Sequence, residues 1–120
     1  MKLRIRGNSI RLRLSQSDLA TLLDGGAVED CVAFPAGPVL TYRLESSAGE
    51  SAAAEYGTDR VVIRFPAVDI EVWSRPEEVA LRAALPLGDG ILELLVEKDF
   101  KCLSPRAGED AADLFPNPGR

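Results

Sequence analysis

The sequence contains no histidine among its 120 residues. Without an imidazole, Ser-His-Asp and Cys-His catalysis, histidine-based zinc sites and imidazole proton transfer are excluded. The sequence also lacks the Gly-x-x-x-x-Gly-Lys-Ser/Thr phosphate loop and the Gly-x-Gly-x-x-Gly turn, so neither signature of nucleotide binding is present. These absences favour a domain that is not an enzyme and that has no catalytic residue and no cofactor.

Long apolar runs are absent as well. The longest spans only a few residues, whereas a membrane-spanning helix needs about 20. The opening segment, Met1 to Arg6, alternates charged and aliphatic residues and so differs from a secretory signal, which has a continuous apolar stretch. We therefore expect a cytoplasmic protein that does not contact a membrane.

Cysteine is scarce: Cys31 and Cys102 are the only two, and neither belongs to a Cys-x-x-Cys pair. Redox and zinc-ribbon chemistry therefore lack a motif. The surroundings of Cys31 are apolar and strand-like, which predicts a small buried core residue. A chain of this length, 46% of it apolar, can build a core without disulfides or metal. We interpret residues 1–120 as a single globular domain.

The net charge of −5 is spread unevenly along the chain. Residues 1–14 contain five cations and no acid, whereas acids outnumber cations over residues 15–96. Sequence-independent binding of nucleic acids depends on clustered cations that neutralise phosphates, and an acidic domain is a poor candidate for it. The composition therefore disfavours a nucleic-acid partner.

The clearest local pattern is an N-terminal hairpin over residues 1–14. Two segments, Lys2 to Arg6 and Ser9 to Leu14, alternate with period two on either side of Gly7-Asn8, a dipeptide suited to a two-residue turn. This register places Arg4 opposite Arg11 and makes one face aliphatic. The other face is cationic and contains Lys2, Arg4, Arg6, Arg11 and Arg13.

The remaining elements follow from hydrophobic spacing. A short helix begins at Ser15 or Ser17 and ends before Gly25-Gly26. Residues 67–74 suit either a helix or a strand, with Val68, Val72 and Trp73 expected in the core. Strands are predicted over residues 27–34, 39–44, 52–56, 60–65, 79–86 and 91–100.

These elements predict an α+β fold with six to seven strands and one or two short helices. Because the connections are short and no long crossover helix is present, we expect a mainly antiparallel twisted sheet or a partly closed barrel. The sequence shows no internal repeat. Residues 101–120 lack periodicity and are expected to form an irregular tail that docks on the sheet.

Two interpretations of the cationic face remain open. Like charges on neighbouring strands are destabilising unless they are neutralised. In the first interpretation, Glu93, Glu45 and Glu55 supply cross-strand ion pairs on a solvated face. In the second, Arg4, Arg6, Arg11 and Arg13 surround a concave surface that binds a phosphate or carboxylate ligand through guanidinium groups.

The C-terminal segment offers a weaker constellation. Four residues there could ligate a divalent cation, although mixed thiolate and carboxylate ligation without histidine is uncommon. These residues are Cys102, Glu109, Asp110 and Asp113. The competing interpretation is structural, with Phe100, Leu103, Leu114 and Phe115 pinning the tail across an open sheet edge.

Both ends of the chain resemble a family of short, uncharacterised bacterial proteins. The resemblance rests on MKLRIRGNSIRLRL at residues 1–14, on EKDFKCL at residues 97–103, and on the later Glu109-Asp110 and FPNP at residues 115–118. The family has no assigned activity, so the function stays unknown. The resemblance implies a free-standing bacterial domain, and we expect it to bind a partner protein, a small anion or a second copy of itself.

An enzymatic alternative comes from a further resemblance. Alternating arginine-rich and glutamate-rich strands look like the triphosphate tunnel enzymes, which act on phosphate substrates with divalent metals. That resemblance implies that Arg4, Arg6, Arg11 and Arg13 hold phosphates while Glu93 and Glu97 hold the metal. The Glu-x-Glu-x-Lys first strand of those enzymes is absent here.

Overall fold

The fold is known from a computed structural model that describes residues 1–100 and Phe115. These residues contain eight strands, more than the six to seven expected, and two helices, and the α+β class is confirmed. The elements are β1 (Lys2–Arg6), β2 (Ser9–Leu14), α1 (Gln16–Leu23), β3 (Ala27–Ala33), β4 (Val39–Ser47), β5 (Ala53–Gly57), β6 (Arg60–Pro66), α2 (Ala67–Trp73), β7 (Ala80–Pro86) and β8 (Ile91–Lys98).

The strands form two four-stranded sheets rather than one sheet or a partly closed barrel. The first sheet has the order β1-β2-β8-β7, and the second has the order β3-β4-β6-β5. Each sheet consists of two antiparallel hairpins whose inner strands, β2 with β8 and β4 with β6, run parallel. In the second sheet this parallel pairing needs no crossover helix. Strand β5 lies between β4 and β6 in the chain, runs antiparallel to both, and occupies the sheet edge next to β6.

The helices bury one side each. Helix α1 begins at Ser15, whose hydroxyl accepts from the backbone N–H of Asp18 while the Asp18 carboxylate accepts from the N–H of Ser15. Segment 67–73 is helical, and Ile70 and Trp73 are its buried residues. The expectation that Val68 and Val72 face the core was wrong: they are 66% and 39% exposed. Positions 70 and 73, one helical turn apart, form the inner stripe instead.

A single core joins the two sheets and both helices. Its twelve buried hydrophobic residues come from β2, β8, β3, β4, β6, α1 and α2. They are Leu12, Leu14, Leu19, Leu22, Val28, Leu44, Ile63, Phe65, Ile70, Trp73, Leu94 and Val96.

The topology repeats within the chain. The order β1-β2-α1-β3-β4 recurs as β5-β6-α2-β7-β8, and the copies exchange hairpins so that each sheet contains one hairpin from each copy. The registers match: Leu12 neighbours Val96 in the first sheet as Ile63 neighbours Leu44 in the second. This repeat of topology was not predicted from the sequence, in which no repeat is visible. Equivalent core positions hold different residues, such as Leu22 and Trp73, so the sequence pattern is hidden.

A candidate anion-binding face

The face of the first sheet opposite the core is cationic. Side chains alternate along a strand, so the burial of Leu12 and Val96 on one face places their sequence neighbours on the other. The hairpin register is the predicted one, with Arg4 opposite Arg11. This surface, here called the cationic face, contains six cations and two acids: Lys2, Arg4, Arg6, Arg11, Arg13, Arg82, Glu93 and Glu97.

Three of its arginines align in one row across the sheet. Arg4 is opposite Arg11, Arg11 neighbours Leu95, and Leu95 is opposite Arg82. Neighbouring strands lie about 4.8 Å apart, and the row crosses all four strands of the sheet. A cleft of about 410 Å³ lies on this part of the sheet, and Arg11, Arg82 and Glu93 line it.

Carboxylates neutralise only part of the cationic face. One oxygen of Glu97 lies 3.5 Å from Nε of both Arg11 and Arg13, and the same buried oxygen accepts no hydrogen bond from the described residues. Lys2 pairs with Asp99 at 2.9 Å. Arg4, Arg6 and Arg82 make no ion pair with any residue that the structure describes.

The corresponding face of the second sheet is fully paired. Glu45 accepts from Arg43 at 2.7 Å and from Arg64 at 2.5 Å, and Arg64 also pairs with Glu55. Glu29 accepts from Arg43 at 3.3 Å and from Arg60 at 3.0 Å.

The pKa of Glu45 reflects this pairing. The hydrogen bond from Arg43 is the largest effect and lowers the pKa below its usual range, with Arg64 adding to it, although partial burial acts in the opposite direction. Glu45 and Glu55 thus neutralise arginines of their own sheet. One interpretation of the sequence had expected them to pair with the cations of residues 1–14, and they do not.

The internal repeat shows where the two faces differ. The Arg13 and Glu97 neighbours of the first sheet correspond by register to Arg64 and Glu45 of the second. At two other positions the charge is reversed, and at the remaining charged positions a charged residue corresponds to an uncharged one. Arg4 occupies the position equivalent to Glu55. Likewise, Arg82 occupies the position equivalent to Glu29. The cationic face therefore has an excess of four cations over its own acids, or three when Asp99, the partner of Lys2, is included, whereas the second sheet balances three arginines with three glutamates.

Sequence reasoning missed Arg82 as a member of this surface. The alternation Leu81-Arg82-Ala83 was a signal for its outward orientation, but nothing local indicated that β7 would join the sheet of the N-terminal hairpin. Cys31 was also misjudged, because it is exposed on β3 rather than buried. The β3-β4 hairpin extends past the core, and its apolar residues lose their cover there.

A second residue that the sequence did not reveal is Lys98 at the end of β8. It is only 4% exposed, and its amine donates to the carbonyl oxygens of Arg75 and Glu78 at 2.7 and 2.6 Å. The amine also lies 5.7 Å from the ring centroid of Trp73. Burial lowers the pKa of Lys98. Lys98 lies in the buried part of the molecule and connects β8 to the loop before β7.

The described part of the chain contains no cluster of side chains that could bind a metal ion. No group of three or more Cys, Asp or Glu side chains converges there. Glu93 and Glu97 lie on the same face of β8, but no third ligand accompanies them among residues 1–100 and 115. The hypothesised ligands Cys102, Glu109, Asp110 and Asp113 lie outside the described residues. Phe115, which is described, contacts Phe100 edge-on at 6.1 Å, while docking of the rest of the tail stays a prediction.

These features define an α+β protein whose two sheets are built from duplicated halves, and one sheet has a cationic face that is only partly neutralised. The chain belongs to DUF7009, a family of unknown function whose model matches residues 1–119. The expected membership of an uncharacterised family is thereby confirmed. No match was found among curated proteins or among solved structures. In the described residues, neither helix has the length and apolar character needed to cross a bilayer.

Proposed function

We propose that the cationic face binds a small anion with several phosphate or carboxylate groups. The observation that carries the proposal is the charge reversal between the duplicated sheets. Arg4 and Arg82 stand where Glu55 and Glu29 complete the neutral network of the second sheet. The first sheet thus has more cations than its carboxylates can pair with, whereas in the second sheet every arginine of the outer face is paired.

The arrangement suits a multivalent anion. Arg4 and Arg11 are directly opposite on antiparallel strands, a like-charge contact that destabilises the sheet until an anion lies between them. Guanidinium groups offer paired N–H donors that match phosphate and carboxylate oxygens. The cleft beside Arg11 and Arg82 has room for such a ligand. In this proposal the protein binds without catalysis, and Glu97 keeps Arg11 and Arg13 in place.

Ligand-dependent thermal melting tests the proposal. Inorganic phosphate, pyrophosphate, tripolyphosphate and citrate are the probes, because a ligand at about 100 times its Kd stabilises a protein by roughly 2.7 kcal/mol. We expect the polyvalent anions to raise the Tm of the wild-type chain by several degrees. The increase should be lost in the Arg4→Ala/Arg82→Ala variant. Arg60→Ala, which removes an exposed arginine of the second sheet, is the matched control and should keep the increase.

Two results would change the conclusion. If none of the four anions shifts the wild-type Tm, or if Arg60→Ala abolishes the shift as fully as the double variant, the cationic face is not the binding site. A phosphate-release assay with tripolyphosphate and Mg²⁺ addresses the enzymatic alternative. Release that requires Mg²⁺ and is lost in Glu93→Gln would replace the binding proposal with a metal-dependent phosphohydrolase.

A further inference from the structure

Strand β3 and the turn after it form a long exposed apolar segment. Residues 31–39, here called the apolar finger, are all exposed and contain no charged side chain. Val32 is 43% exposed and Phe34 is 50% exposed. Both continue the side of β3 that buries Val28, but they extend beyond the core. An exposed apolar surface of this kind marks a contact site.

The finger begins at a sheet edge, where the charges of β3, Glu29 and Asp30, lie in the first half of the strand and the prolines, Pro35 and Pro38, lie after the strand ends. Edge strands avoid pairing with other chains by means of charges, prolines or short length. Strand β1 has Lys2, Arg4 and Arg6, and β7 has Arg82 and ends at Pro86. Strand β5 has only five residues, one of them Glu55. The distal half of β3, from Cys31 to Ala33, has none of these features.

The backbone of β3 presents unpaired groups at this edge. The N–H of Phe34 donates to the carbonyl of Pro38 at 2.8 Å, so the even-numbered residues direct their backbone groups at β4. Those of Glu29, Cys31 and Ala33 therefore point away from the sheet. Among the described residues, none pairs with them.

We propose that β3 pairs antiparallel with β3 of a second copy of this chain, about a two-fold axis at Cys31. This register is self-complementary. Glu29 is then opposite Ala33 of the second copy, and Asp30 is opposite Val32, so no two like charges are directly opposite. The two Asp30 carboxylates are diagonal neighbours, and each lies 3.3 Å from the N-terminal amine of its own Met1. Cys31 forms the central hydrogen-bonded pair with its counterpart, and the two second sheets join into one sheet of eight strands. An interface of one strand pair and a hairpin tip is small, so the dimer is weak and concentration-dependent.

Sedimentation equilibrium of the reduced full chain tests the pairing and its register. The wild-type protein should approach twice its mass of 12.9 kDa as concentration rises. Val32→Asp places a carboxylate opposite Asp30 of the second copy and should weaken the dimer by about tenfold or more. Val32→Lys places an ammonium there and should leave the dimer at least as strong. Tyr56→Asp, at the opposite edge of the same sheet, is the control and should have no effect.

A second variant addresses the backbone directly. Ala33→Pro removes an N–H that points away from β4, so it preserves the intramolecular ladder and removes only intermolecular hydrogen bonds. It should abolish the dimer while the Tm of the monomer is retained. In a Cys102→Ser background, mild oxidation should link two wild-type edges through Cys31, because paired Cα atoms about 5.5 Å apart are within disulfide range.

Two results would overturn the dimer proposal, and one would support it. A wild-type chain that stays monomeric at every concentration overturns the proposal, and this includes the case in which the chain's own C-terminal segment covers the edge. Equal weakening by Val32→Asp and Val32→Lys also overturns it, because that result would indicate an unspecific apolar contact. Dimerisation that depends on the sign of the charge at position 32 and fails in Ala33→Pro supports it.

Discussion

At the scale of single residues, Lys98 places an amine in the buried part of the molecule. It donates to two backbone carbonyls of the loop before β7 and lies near the ring of Trp73. We expect Lys98→Met to lower the free energy of unfolding by about 1 to 3 kcal/mol, because both carbonyls lose their donor. Chemical denaturation measures the loss. Arg75→Met, an exposed change in the same loop, should alter it by less than about 0.5 kcal/mol.

The pH dependence of this difference provides a further check on Lys98. Burial lowers the pKa of Lys98 in the folded state below its ordinary value of 10.5. At pH values between the folded-state pKa and 10.5, the unfolded chain therefore binds more protons than the folded chain. Stability therefore rises with pH in that window, as the folded state releases the buried charge first. The advantage of the wild-type chain over Lys98→Met should grow towards pH 10.5. A difference that shrinks over the same window would contradict the assigned environment.

At the scale of elements, helix α1 is too short to persist without its cap and its packing. A helix of eight residues forms few internal hydrogen bonds, and the reciprocal bonds between Ser15 and Asp18 satisfy two of its free N-terminal groups. Ser15→Ala should therefore lower the free energy of unfolding by about 1 kcal/mol. Denaturant midpoints measure it against Thr21→Ala, an exposed change inside the same helix that should be nearly neutral. Equal effects of the two substitutions would show that the cap contributes nothing.

The elements also show which parts of the fold are readable from the sequence. The register of β1 with β2 and the limits of α1 depend on neighbouring residues, and both were predicted. The partition into two sheets depends on partners far apart in the chain, such as β2 and β8, and no local pattern encodes it. The same limit applies to the site: Arg4 and Arg11 were found as a pair, whereas Arg82 joined them only through that distant pairing.

At the scale of the whole molecule, the two related sheets differ in how the charges of their outer faces are neutralised. The second sheet shows how this architecture neutralises its outer face, with Arg43, Arg60 and Arg64 each held by glutamates. The first sheet has the equivalent strand order and register, but Arg4 and Arg82 stand at the positions of two of the acids, and Leu95 and Ser9 stand at the positions of Arg43 and Arg60. It therefore contains a charge repulsion between Arg4 and Arg11 that the second sheet lacks, and this repulsion is the physical basis of the proposed anion binding.

Placing an acid at the position equivalent to Glu55 tests this relation. Arg4→Glu puts a carboxylate opposite Arg11 and should raise the free energy of unfolding by about 0.2 to 1 kcal/mol. Added sodium chloride should stabilise the wild-type chain more than this variant, because salt screens repulsion between exposed charges. The variant should also lose its thermal response to tripolyphosphate. The reverse change in the second sheet, Glu55→Arg, should destabilise the chain and make its stability more salt-dependent. If Arg4→Glu were instead less stable than the wild type at low salt, the cations of the first sheet would be contributing to the fold, and the charge excess would no longer indicate a binding site.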